Sequence, residues 1–133
     1  MLMKSKSVSI LTFVVVALIW LVPLTAQAAG PYDGFWVVNQ VPDMYVTINQ
    51  SGDEVVVLTL FTDTGQWNAL TGQMQGDQVE LSYVVSVNGV TAVYLVELTS
   101  ATTGTTTLTS CSPVVACIAE QALNVPYSTT KIF

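Results

Sequence analysis

From residue 34 onward, apolar and polar residues alternate in short runs, and turn-forming residues break the runs at regular intervals. The runs span 34–40, 44–49, 54–62, 67–75, 78–87, 90–98 and 105–110, with a weaker one at 127–133. Between them stand Ser51-Gly52, Asp63-Thr64-Gly65, Gly76-Asp77, Asn88-Gly89 and the stretch 101–104. A period of two with Val, Ile, Thr and aromatic residues is the signature of half-buried strands. Connections this short join antiparallel neighbours only. The pattern therefore predicts an all-β, up-and-down meander of seven or eight strands. Such a chain most simply hides its edges by closing, fully or partly, into a small barrel.

Two hairpins fix most of the expected register. Asn88-Gly89 is a strong signal for a two-residue type I′ turn. It would set Val87 opposite Val90, Val85 opposite Ala92, Tyr83 opposite Tyr94, Leu81 opposite Val96 and Val79 opposite Leu98, all on one face. The other face would carry Ser82 opposite Leu95 and Glu80 opposite Glu97. The Ser51-Gly52 hairpin puts Met44, Val46 and Ile48 on one side with Val55, Val57 and Phe61. The reverse side of that third run is also apolar, with Val56, Leu58 and Leu60. Either the C-terminal segment covers this stripe, or it is an exposed interaction surface. Residues 112–124 read two ways. Ser112 and Pro113 suit a helix start, and Val114, Val115, Ile118, Ala119, Ala122 and Leu123 lie near helical spacing before Pro126. An irregular loop fits equally well.

The N-terminus has a different pattern. Lys4 and Lys6 precede an apolar run from Val8 to Val22, Pro23 ends it, and Ala26-Gln27-Ala28 follows. That is the order of a secretory signal with its cleavage site. The apolar run is about 15 residues, short of the roughly 20 that a spanning helix needs. The expected organisation is a signal peptide, residues 1–28, and one β-barrel-like domain, residues 29–133, secreted or periplasmic and not anchored in a membrane after cleavage.

Charge narrows the function. The 133-residue chain has no His, three Lys and Arg together and nine acids, a formal charge of −6. Loss of Lys4 and Lys6 would leave Lys131 as the only cation, and −8 overall. A domain so poor in cations cannot neutralise phosphates, so nucleic acid is not an expected partner. Without His or Arg there is no Ser-His-Asp or Cys-His arrangement and no arginine clamp, and the chain is not expected to be an enzyme. Cys111 and Cys117 in an exported protein are expected to form a disulfide that pins a local turn. Asp33, Asp43, Asp53 and Asp63 recur every ten residues where strands begin or end, as turn-forming aspartates do.

Gly34-Phe35-Trp36, Gln50-Ser51-Gly52-Asp53, the span from Phe61-Thr62-Asp63 through Gly65 to Trp67, Thr109-Ser110-Cys111 and the terminal Lys131-Ile132-Phe133 together form a pattern. It resembles that of small exported bacterial β-meander proteins of uncharacterised function, a resemblance that implies fold and location but no activity. The opening Gly-x-Trp strand is also similar to that of lipocalin and avidin-like barrels, in which the Trp closes one barrel end. The late Arg that lipocalins stack on that Trp has no counterpart here.

Three sets of residues remain as candidate sites. Trp36, Trp67, Tyr83 and Tyr94 could line a barrel mouth for an apolar or sugar-like ligand, with Asn68 or Gln73 orienting it. A three-residue Asp63-Thr64-Gly65 loop would place Trp67 opposite Phe61 on the inner face. Glu80 and Glu97, if opposite, could hold a calcium ion with help from Ser82. Val56, Leu58 and Leu60 could bind a protein partner or a second copy. No cofactor is expected. The expected function is a non-catalytic exported binding module, or else a structural subunit of an envelope or extracellular assembly.

Overall fold

The computed structural model describes residues 29–84, 89–117 and 121–133. The signal-like segment lies outside them, as do Val85, Val87 and Asn88 of the Asn-Gly hairpin and Ile118 and Ala119 of the helical reading. The eight strands are β1 (Gly34–Val38), β2 (Met44–Ser51), β3 (Glu54–Phe61), β4 (Trp67–Gln75), β5 (Gln78–Tyr83), β6 (Thr91–Leu98), β7 (Thr103–Ser112) and β8 (Pro126–Lys131). They run antiparallel in chain order around a closed barrel, and β8 pairs back onto β1. The meander and its closure are as the alternation predicts.

The strands send alternate residues inward, except where a bulge opposite Val93 and Tyr94 lets β7 bury both Leu108 and Cys111. In β3 the buried positions are Val55, Val57, Thr59 and Phe61, and the residues between them are exposed. The Ser51-Gly52 hairpin has the expected faces, with Met44 opposite Phe61 and Ile48 opposite Val57. Its turn residues are Gly52 and Asp53, flanked by the Ser51–Glu54 pair. Gly76-Asp77 repeats that arrangement between Gln75 and Gln78. Both glycines take positive φ, 61° and 70°, as the first position of a type II′ turn requires.

Three expectations need correction. The first concerns the β5–β6 register, which sits two residues away from the one predicted. Leu81 faces Tyr94, Val79 faces Val96 and Glu80 faces Leu95. A slide of two keeps every side chain on its own face, so the apolar alternation is blind to it. Charge is not blind to it. The predicted register opposes two glutamates, whereas the observed one gives Glu97 the side chain of Gln78, whose Nε2 donates to Glu97 Oε1 at 2.6 Å. Like charges directly opposite are unfavourable across a strand pair.

The second correction concerns the β3–β4 loop, which holds four residues rather than three. Phe61 N donates to Gln66 O at 2.8 Å and Gly65 N donates to Phe61 O at 2.8 Å, enclosing Thr62, Asp63, Thr64 and Gly65. The extra residue changes the parity of the start of β4. Leu60 therefore pairs with Trp67, and Trp67 points outward. The third correction is that the C-terminal segment does not cover the β3 stripe. It forms β8, the strand between β7 and β1.

Between β7 and β8 the chain makes one 3₁₀ turn, Val114–Ala116. Ser112 is not its cap: Pro113 holds the N-cap position in extended conformation, with no side-chain cap bond. The Cys111–Cys117 disulfide, with Cα atoms 6.2 Å apart, ties this turn to the end of β7. Both cysteines are buried.

Gly72 in β4 faces Leu81, and a β-carbon there would lie 2.1 Å from the carbonyl oxygen of Glu80. Gly72→Ala should lower unfolding free energy in urea by about 2 kcal/mol. A loss under about 0.5 kcal/mol would mean that β4 and β5 are not packed this closely. Replacing both cysteines by Ala should cost about 2 kcal/mol in the same measurement, the scale expected for closing so short a loop.

Candidate functional site

The barrel interior is the best-formed concave site. Its floor is set by Trp36 of β1, only 1% exposed, whose Nε1 donates to Tyr32 O at 3.0 Å. Satisfying the indole N–H at the rim lets the ring lie wholly among apolar side chains. Val46, Ile48, Val57, Leu70, Leu81, Val96 and Leu98 complete the apolar wall. The opposite end of the barrel carries the connections 39–43 and 62–66, together with residues 84, 89–90, 113–117 and 121–125.

Beneath that end lies a cavity of about 60 Å³, counted as the space open to the centre of a water-sized sphere. One water needs roughly 10–15 Å³ by this measure, so the space holds several small groups. Tyr83 and Tyr94 border it with ring centroids 6.4 Å apart in an edge-to-face arrangement. Five neutral polar residues also line it: Thr59, Asn68, Thr106, Gln121 and Thr129.

These polar residues form two groups. Thr59 and Asn68 are direct cross-strand partners on β3 and β4. Thr106 and Thr129 come from β7 and β8, half the circumference away. Gln121 joins the second group from the segment after the disulfide. It is 5% exposed, and its Nε2 donates to Thr106 O at 2.7 Å and to Val125 O at 3.1 Å. Asn124, with φ of 58°, turns the chain beside it, and Asn124 N donates to Leu108 O at 2.8 Å. A buried amide held by two backbone carbonyls has a fixed orientation, with its Oε1 end set by the same geometry.

The structure brings together three of the four predicted aromatic residues, Trp36, Tyr83 and Tyr94. Trp67 is 67% exposed on the outer wall. Of the two proposed orienting residues, Asn68 faces the cavity and Gln73 is exposed. Glu80 and Glu97 are not opposite one another, and Ser82 faces Val93. No group of three or more potential metal-ligating side chains occurs among the described residues.

Thr59, Thr106, Thr129 and Gln121 were not singled out by the sequence. Thr59 had a signal, as the polar residue in the inward series Val55, Val57, Thr59, Phe61. Gln121 had only its place in an otherwise apolar segment.

A second surface lies outside. Val56, Leu58 and Leu60 are each about 40% exposed; the register extends Leu60 and Leu58 into rows across four strands, while Val56 stands between Asn49 and Thr71. One row is Val37, Tyr45, Leu60, Trp67 and the other is Phe35, Thr47, Leu58, Ala69. Phe133 lies against Phe35 at 5.3 Å between ring centroids, so the C-terminus extends this apolar face. The outer faces of β7 and β8 are instead rich in Thr and Ser.

Aspartates serve turns and ends, as expected of them. Asp33 accepts from Gly30 N at 2.9 Å and from Gln50 N, tying the N-terminal segment to β2. No known protein family, curated protein or solved structure matches this chain in comparison.

The two described tryptophans should behave as opposites. Trp36→Ala should destabilise the fold by about 3–5 kcal/mol, and Trp67→Ala by no more than about 0.5 kcal/mol. Acrylamide should quench Trp67 emission and leave Trp36 emission nearly unchanged. Equal quenching of both would contradict the assigned faces.

Proposed function

We propose that the protein is an exported, non-catalytic binding module that takes a small molecule into its barrel interior. The observation that carries this reading is the convergence of Trp36, Tyr83 and Tyr94 with five neutral polar side chains on one cavity. A mostly apolar pocket with a few placed polar groups is the usual form of a small-molecule site. Export is supported by the signal-like segment 1–28 and by the Cys111–Cys117 disulfide, which is at home in an oxidising compartment. The absence of His and Arg from the chain supports a role without catalysis. The resemblance to exported β-meander proteins and the likeness to lipocalin-type barrels point the same way.

A second reading is a structural or assembly subunit, and the outer apolar rows on β1–β4 favour it specifically. Monomeric soluble proteins rarely expose apolar patches larger than a few hundred Å² without using them.

Nuclear magnetic resonance separates the two. Small uncharged apolar compounds should shift the Trp36 indole proton saturably and leave that of Trp67 in place. Shifts at Trp67 alone would move the function to the outer face. Mass that rises with concentration in light scattering would support self-assembly, and a monomer at every concentration would remove it.

A further inference from the structure

We propose that the outer face of β1–β4 docks a cationic, amphipathic peptide segment of another protein. The inference is independent of the cavity and gives the outer apolar rows a partner of defined chemistry. Two observations carry it, the extent of the face and the sign of the charges that border it.

The row of Phe35 and Leu58 continues beyond β1–β4. Ile132 N donates to Phe35 O at 2.8 Å and Val84 N donates to Ala69 O at 2.9 Å, and both side chains are exposed. Neighbouring segments about 4.8 Å apart make the row from Ile132 to Val84 roughly 24 Å long. The second row, with Val56 on the other side, adds about 14 Å along the strands. The resulting area, about 350 Å², falls well short of the roughly 800 Å² per partner that a stable interface between folded proteins needs. It fits one side of a helix of about 16 residues, which is about 24 Å long and about 10 Å wide.

The charged side chains at both borders are acids. Along β1–β4 themselves the only charged residue is Glu54. At one border Thr62 N donates to Asp43 O at 2.9 Å, so Asp43 stands one row beyond Tyr45 and Leu60, with Asp63 next in the loop. At the other border Glu54 pairs with Gln73 and Gln73 with Glu80. All four carboxylates belong to exposed residues. Among the described residues the only Lys or Arg is Lys131, which shares the inward phase of Thr129 and lies beside Gly34 and Trp36. A second copy therefore offers neither border an outward cation, and anionic lipid is repelled in the same way. The complement of an uncharged apolar strip between acidic borders is an apolar segment flanked by Lys or Arg.

The probe is a helix-forming peptide of about 16 residues with Leu on one face and Lys on the other. It is titrated into the protein while both indole protons are followed. It should shift Trp67 saturably, one peptide per protein, and leave Trp36 in place. Two matched peptides, one with Glu for every Lys and one with Ser for every Leu, should each bind at least about tenfold more weakly. Leu58→Ser, at an exposed position, should also cost at least about tenfold, with an unmoved Trp36 signal reporting an intact barrel. Asp43→Asn together with Asp63→Asn should weaken binding about threefold or more, whereas Glu97→Gln, on β6 outside the face, should leave it unchanged. No shift at Trp67, an acidic peptide bound as tightly as the basic one, or Leu58→Ser without effect would each overturn the proposal. An equal loss in Glu97→Gln would overturn it too, since attraction would then follow net charge alone. Mass that doubles without peptide would assign the face to a second copy, and a Trp67 shift produced only by phosphatidylcholine vesicles would assign it to a lipid surface; either contradicts the proposal. The cavity reading is followed at Trp36, so each of these results leaves it standing.

Discussion

The pairing of β1 with β8 closes the sheet, and most of the other features depend on that closure. It joins residues nearly a hundred positions apart through a short register: Trp36 with Lys131, Val37 with Thr130 and Val38 with Thr129. Further bonds extend it at both ends. Phe35 N donates to Phe133 O at 2.6 Å, Ile132 N to Phe35 O at 2.8 Å, and Asn39 N to Ser128 O at 2.9 Å. Asn39 Nδ2 also donates to Ser128 Oγ and Thr130 Oγ1, and Gln40 Oε1 accepts from Ser128 N. Without this seam β1 and β8 would be open edges with unpaired backbone groups, the usual route to association between chains. With it, every strand acquires an inside and an outside. Trp36 is then enclosed, and the cavity exists.

Closure also explains why one small chain has two apolar surfaces. The inner surface is what folding requires of any barrel with so little charge. The outer one is not required by folding, because β5, β7 and β8 present mainly Gln, Glu, Thr and Ser outward. β6 is mixed, with Val93 and Leu95 outward beside Thr91 and Glu97. The two halves of the outer wall therefore differ in polarity, whereas the inner aromatic residues Trp36, Tyr83 and Tyr94 pack in or against the core.

Much of this was legible in the alternation of residues. Strand order, the Gly76-Asp77 turn, the inward set Val79, Leu81, Tyr83 and Tyr94, and the disulfide follow from local pattern, while the turn read at Ser51-Gly52 lies one residue later, at Gly52-Asp53. Two things did not, for separate reasons. The β5–β6 slide preserves faces, so only the opposition of Glu80 and Glu97 could have revealed it. Loop length at 62–65 sets parity, and a single residue there moved Trp67 from the inside to the outside. Leu70 and Met74 held the corrective signal, since both share the parity of Asn68 and oppose that of Trp67. Gln121 was beyond reach because its role comes from a turn at Asn124 and from carbonyls at Thr106 and Val125, contacts that no periodicity encodes.

The seam itself is the place to measure. In a closed barrel, the amide and α protons of Val37 and Thr130 lie within nuclear Overhauser range, and the amides along 35–39 and 128–132 exchange slowly with solvent. Cross-peaks between these strands with slow exchange are the result expected here. Rapid exchange along both strands, with no contact between Val37 and Thr130, would show an open sheet and remove the cavity with it.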